Sequence, residues 1–102
     1  VLYGSLTGTV TDSSDAAVPG ANVSLTNKQT GSTRSAVTTE SGAYNIPTVQ
    51  AGLYTVKITK DGFRTIVQDN VEILVNSTAR VDMKLQLGQV AETINVEAGV
   101  AA

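Results

Sequence analysis

Gly52-Leu53-Tyr54-Thr55-Val56-Lys57-Ile58-Thr59 sets Tyr54, Val56 and Ile58 on one side of an extended chain and Thr55, Lys57 and Thr59 on the other. Successive side chains of a strand point to opposite faces, so this period of two predicts a strand with one wet and one buried face. Lys60-Asp61-Gly62 then closes it with turn residues. The pattern recurs outward in both directions. Leu6, Gly8 and Val10 oppose Thr7, Thr9 and Thr11, while Val23 and Leu25 oppose Asn22, Ser24 and Thr26. Further on, Val81, Met83, Leu85 and Leu87 alternate with Arg80, Asp82, Lys84 and Gln86, which predicts a central strand. No segment carries a helical period.

The intervening stretches read as turns and weaker strands. Asp12 to Gly20 is rich in Ser, Asp, Pro and Gly and predicts a loop. Lys28-Gln29-Thr30-Gly31 turns into Ser32 to Thr39, a mostly polar run suited to a sheet edge. Ala43-Tyr44-Asn45-Ile46 predicts a short strand that ends at Pro47, which has no amide proton for a ladder. Phe63 to Val75 holds two apolar patches, Ile66-Val67 and Val71-Ile73-Val75, and reads either as two short strands or as one bent strand. Val90 to Glu97 either completes a sheet or trails away from it. Valine and threonine each occur fourteen times, and such β-branched side chains favour pleated surfaces. Seven or so short strands separated by regular turns predict an all-β sandwich of two packed antiparallel sheets.

Composition narrows the chemistry. The chain has 102 residues, 41% of them hydrophobic and 16% charged, with no cysteine, histidine or tryptophan. That length predicts one domain able to bury a core without metal or disulfide staples. The net charge of -2 gives no field to recruit nucleic acid or an anionic membrane surface. Missing imidazole and thiol remove most neutral-pH acid–base chemistry, thiol chemistry and transition-metal ligands. No run approaches the roughly 20 apolar residues of a membrane helix, so direct insertion is not expected. Val1 follows no methionine or signal-like segment, and Ala98 to Ala102 reads as a linker stub, which suggests a processed protein or a piece of a longer one.

Three stretches carry a family resemblance. Gly8-Thr9-Val10-Thr11-Asp12 with Val18-Pro19-Gly20-Ala21-Asn22-Val23 is the first, Thr38 through Tyr54 the second, and Asp61-Gly62-Phe63 the third. Together they resemble the carboxypeptidase regulatory-like domains. Thr39-Glu40-Ser41-Gly42-Ala43-Tyr44 and Ala51-Gly52-Leu53-Tyr54-Thr55-Val56 are similar to that family's turn-plus-aromatic and Gly-x-Tyr patterns. The resemblance spans about residues 4–87. It implies a seven-stranded antiparallel Greek-key β-sandwich, close in fold to transthyretin-like (prealbumin-like) and Cna B-type modules. Residues 89–97 are similar to the segment that joins such a domain to the plug of TonB-dependent outer-membrane receptors. This implies a regulatory-like sandwich over residues 1–88, then a strand and linker over 89–102 leading to a following domain. It further implies a location in the cell envelope, on the periplasmic side of the outer membrane or at the cell surface.

Candidate sites are few. Without histidine, catalysis needs Ser or Thr beside Lys, or paired carboxylates, and Asp12 with Asp15 and Glu92 with Glu97 are close acidic pairs. Solvated loop and edge charges explain them, so no catalytic, cofactor-binding or metal residue is expected and the chain is not expected to be an enzyme. Transthyretin-like hydrolases depend on histidines that this chain lacks. Cna B-type domains often join a first-strand lysine to a last-strand asparagine. The first lysine here is Lys28, so although Asn95 and Glu40 or Glu72 exist, no isopeptide bond is expected. Asp12, Ser13 and Asp15 offer hard oxygen ligands for calcium, but without EF-hand spacing, and surface turns use the same residues. Tyr44, Tyr54 and Phe63 fall at inward positions, leaving Tyr3 as the one aromatic platform for a carbohydrate. Residues 32–39 and 90–97 are edges to which a partner protein could add a strand. The residues expected to matter most are structural: Gly42 and Gly52 for backbone geometry, and Tyr44, Tyr54, Val56, Ile58, Val81, Met83 and Leu85 for the core. The expected role is an accessory or interaction module that works with other domains of a parent chain, with a carbohydrate-binding or adhesive surface domain as the alternative.

Overall fold

The computed structural model describes residues 3–89 and 91–96. Among them are nine strands and no helix: β1 (Tyr3–Thr11), β2 (Asn22–Asn27), β3 (Thr33–Val37), β4 (Ala43–Gln50), β5 (Gly52–Thr59), β6 (Thr65–Ile73), β7 (Thr78–Arg80), β8 (Met83–Lys84) and β9 (Thr93–Val96). They form two sheets. In one, β1 has β4 on one side and β7 followed by β8 on the other; the second runs β3-β2-β5-β6-β9. Leu6 and Val10 of β1 and Tyr44, Ile46 and Val49 of β4 belong to the same buried core as Val23, Leu25, Val56, Ile58 and Ile73 of the second sheet. The inward positions read from the alternation in β1, β2 and β5 are the buried ones.

The sandwich is correct, but the seven antiparallel strands are not. Three pairings are parallel: β1 with β7, β1 with β8, and β6 with β9. The chain changes sheets after β6 and again after β8, and such a crossover can return a strand in the same direction as its neighbour. The single strand expected over Val81 to Leu87 is also divided. Val81, Met83 and Leu85 are buried as predicted, yet only Met83–Lys84 is paired as a strand, and Leu87 is 72% exposed. Between β7 and β8 the chain leaves the ladder at Val81 and Asp82, whose polar atoms are taken by side chains and backbone of β1 and β4.

Two bulges explain two further differences. β4 does not stop at Pro47 but continues to Gln50. Leu6 faces Ile46 and Gly4 faces Val49, so Pro47 and Thr48 together oppose one residue of β1, and Thr48 has a φ of 56°. A bulge on an edge strand is where proline's missing amide proton is tolerated. Arg34 of β3 reaches across to this bulge, donating from its guanidinium to the carbonyls of Pro47 and Thr48, each at 2.9 Å. β6 resolves the choice between two strands and one in favour of one bent strand. Tyr54 faces Val71 and Val56 faces Gln68, so Asp69 and Asn70 bulge out, with Asn70 at a φ of 57°. Finally, Thr93–Val96 joins the sheet beside Thr65 to Gln68. Val90 and Glu97, the limits of that expected strand, lie outside the described residues.

Both core tyrosines end in hydrogen bonds. The Tyr44 hydroxyl donates to the Val81 carbonyl, passing over β1 at Gly8. A Cβ at Gly8 would overlap the Val81 carbonyl and lie 2.7 Å from the Tyr44 hydroxyl, so only glycine leaves room for this bond. The Tyr54 hydroxyl donates to the Gln50 carbonyl four residues upstream at 2.6 Å, bracing the turn between β4 and β5. This contact resembles the tyrosine corners of other sandwiches. Gly42 has a φ of 76°, and a Cβ there would sit 2.5 Å from the Val10 carbonyl oxygen, so its predicted role in backbone geometry has a steric basis.

Candidate functional site

The loop that offered calcium ligands is closed by its own hydrogen bonds. Asp12 Oδ1 accepts from the Ser14 amide at 2.8 Å, the Ser14 hydroxyl at 2.7 Å and the Ala16 amide at 3.0 Å. The Ser14 hydroxyl, followed by the amides of Ser14 and Ala16, holds the Asp12 carboxyl below its ordinary range. Asp15 is turned to Lys84, 2.7 Å away. One aspartate is therefore a turn cap and the other an exposed ion pair. Among the described residues no group of three or more carboxylates could hold a metal ion.

The residues considered for an isopeptide bond are dispersed. Lys28 donates to Asn70 Oδ1 at 2.7 Å and lies 3.0 Å from Asp69 Oδ1 at the β6 bulge. The Thr55 hydroxyl and then Lys28 lower the Asp69 carboxyl below its ordinary range. Asn95 lies on β9 opposite Val67, while Glu40 and Glu72 are exposed. Glu92 accepts from the Gln89 amide at 2.9 Å; its prospective partner Glu97 lies outside the described residues.

Two clefts open at one end of the sandwich, where β1 starts and the β4–β5 and β6–β7 turns meet. The larger, about 500 Å³, is lined by exposed Leu53 and Leu74 with Lys28, Asn70 and Glu72 around them. The smaller, about 300 Å³, is lined by Tyr3, Ser5, Thr48, Asn76, Ser77 and Thr78. Tyr3, the aromatic singled out from sequence, is 45% exposed at this cleft. Its neighbours come from three distant segments, and no local sequence signal announces their convergence. The backbone fixes them: the Asn76 amide donates to the Tyr3 carbonyl at 2.9 Å and the Ser5 amide to the Ser77 carbonyl at 3.0 Å. Gly4 permits this approach, since a Cβ there would lie 2.9 Å from both Ile73 Cγ2 and the Ser77 carbonyl oxygen.

The two outer edges of the five-stranded sheet are β3 and β9. β3 is mostly exposed, with Val37 61% exposed at its end. These are the two edges read from sequence. No helix among the described residues is long and apolar enough to cross a membrane.

Known proteins share this architecture. The TIE protein of Bacillus anthracis superposes with a TM-score of 0.71 at 20% identity, over 83% of this chain and 16% of that one. A chain of a type II cohesin–X-dockerin complex from Acetivibrio cellulolyticus gives 0.68 at 26% identity, over 83% of this chain and 58% of its own. A minor pilin of Streptococcus agalactiae gives 0.61 at 17% identity, over 90% and 48%. The chain thus spans only part of the length of each of these relatives. No curated protein matches its sequence. Two of these are named for binding or structural assemblies, the cohesin–X-dockerin complex and the pilin. Residues 5–86 match the carboxypeptidase regulatory-like domain family, covering both core tyrosines, the glycines beside them, β1 from Ser5 onward and β2 to β8 in full. With its sandwich and its Gly42-Ala43-Tyr44 and Gly52-Leu53-Tyr54 landmarks in place, this chain belongs to that family.

Proposed function

We propose that the chain is a non-catalytic interaction module of a larger cell-envelope protein, an amino-terminal accessory domain of a TonB-dependent outer-membrane receptor on the periplasmic side. The module occupies residues 1–88, and residues 89–102 carry a closing strand and the connection to the next domain. It needs no cofactor, and it spaces and orients its neighbours in the parent chain. A protein partner can add a strand to the edge at β3 or β9, whereas nucleic acid and direct membrane insertion are excluded from this role.

The observation that carries this reading is the match over residues 5–86, in a chain that spans 16%, 58% and 48% of three longer structural relatives. A sandwich recurring as one part of longer chains, one of them from a cohesin–X-dockerin complex and another a pilin, supports a joint or docking unit at the cell envelope or surface. The elongated body, 39 by 24 by 23 Å, suits a spacer.

The absence of cysteine makes the location directly measurable. Ser35, exposed on β3, is replaced by cysteine in the parent protein, with any cysteines elsewhere in the parent removed. A membrane-impermeant maleimide should label the S35C protein only after the outer membrane is permeabilised. Labelling of intact cells would place the module outside and favour an adhesive surface role instead.

A further inference from the structure

We propose that the cleft at Tyr3 binds an uncharged, hydroxyl-rich ring, one or two units of a glycan chain. The chemistry of its lining selects that class. Ser5, Thr48, Ser77 and Thr78 contribute hydroxyls, Asn76 an amide and Tyr3 a phenol, and among the described residues no lysine, arginine, aspartate or glutamate lines it. A phosphate or nucleic acid would need cations there, and an apolar peptide anchor would need apolar walls. Hydroxyls and a carboxamide offer both donors and acceptors, the arrangement that matches a ligand whose own groups are both.

These polar groups are available. The side chains of Thr48, Asn76 and Ser77 form no hydrogen bond with any described residue. Ser5 and Thr78 share one bond between their hydroxyls, at 3.0 Å, and each oxygen retains further bonding capacity. The exposed Tyr3 ring adds an apolar face against which the C–H side of a pyranose can lie while the ring hydroxyls face the rim. About 300 Å³ lies at the small end of the range for ligand sites, enough for a short glycan segment.

The site is also held in shape before any ligand arrives. Thr48 and Asn76 have φ values of 56° and 58°, and the backbone bonds from Asn76 to Tyr3 and from Ser5 to Ser77 tie the β6–β7 turn to β1. A ligand meeting a fixed arrangement loses less free energy to ordering the protein.

The test is a nitrogen–proton correlation titration of the 102-residue chain with cellotetraose, xylotetraose, mannotetraose and laminaritetraose, each into the millimolar range. At least one should shift the amides of Tyr3, Ser5, Thr48 and Asn76–Thr78 in a saturable way. Tyr3→Ala should weaken that response roughly tenfold or more. Ser77→Arg, a second exposed position, should also reduce it by filling the cleft while leaving the remaining spectrum in place. No saturable shift with any of the four sugars overturns the proposal. So does a shift that survives Tyr3→Ala and Ser77→Arg, or one centred on the Leu53–Leu74 cleft instead.

Discussion

At the scale of single residues, Tyr44 and Gly8 form one device. The ring crosses β1 where glycine leaves no side chain, and its hydroxyl satisfies the Val81 carbonyl at the point where the chain between β7 and β8 leaves the ladder. Burial, then the charge of Asp82, pushes the Tyr44 phenol up, with Arg80 opposing, so it remains a donor throughout the neutral range. Tyr44→Phe should lower unfolding free energy by about 1–2 kcal/mol in urea titrations, because it leaves a buried carbonyl without its donor. A loss near zero would mean that the bond does not hold the two strands. Gln68 presents the opposite case. It is 6% exposed on the inward side of β6, and its Oε1 has no hydrogen-bond partner among the described residues. Gln68→Leu should therefore be neutral or stabilising by up to about 1 kcal/mol, read as a rise in Tm, and a clear fall would mean that the amide is satisfied in solution.

Asp82 supplies part of the acid sensitivity. Desolvation pushes its carboxyl up, but the Thr9 amide, the Arg80 guanidinium and the Thr9 hydroxyl outweigh that and hold it below its ordinary value of 3.8. A carboxyl with a lower folded than unfolded pKa adds stability that is complete above the unfolded value and is lost as pH falls through the folded one. Stability should thus decline below about pH 4. Asp82→Asn should flatten part of that decline while Asp12 and Asp69, also lowered, sustain the rest. An acid limb unchanged in the D82N protein would show that Asp82 is not one of its sources.

At the scale of elements, the wet–dry alternation made β1, β2 and β5 legible because each keeps one buried face along its length. Where a strand bends, the alternation slips and the reading fails. Pro47 looked like a stop because proline cannot donate to a ladder, but a bulge beside Arg34 carries β4 past it. The division of the Val81–Leu87 run and the parallel partners of β7, β8 and β9 depend on which sheet the chain returns to, which side-chain periodicity does not encode. Gly8 falls on the inward face of the alternation, and a glycine there is the sign of a close approach, but its partner lies 73 residues away at Val81. The Tyr3 cleft was legible only as an exposed ring, since its other walls come from Thr48 and from Asn76–Thr78. β9 is a short element, four residues on a sheet edge with Ile94 half-buried against the core. Its amides should exchange with deuterium far faster than those of β5, which is paired on both sides. Equal protection in the two strands would make β9 part of the main cooperative unit.

At the scale of the whole molecule, the tyrosine-and-glycine landmarks lie where the two sheets share one core. Tyr44 comes from the sheet built on β1 and Tyr54 from the other, and both belong to a single buried cluster. Among the described residues that shared core leaves the edges β3 and β9 and the end near Tyr3 uncovered, as the proposed joint between larger domains requires. The sheets should therefore unfold together. Equilibrium urea unfolding of the 102-residue chain and its Tyr54→Ala variant, followed by circular dichroism, tests this most directly. The account predicts one transition in each, with Tyr54→Ala lowering stability by about 3–5 kcal/mol. Two separate transitions, or a loss of less than about 1 kcal/mol, would contradict it.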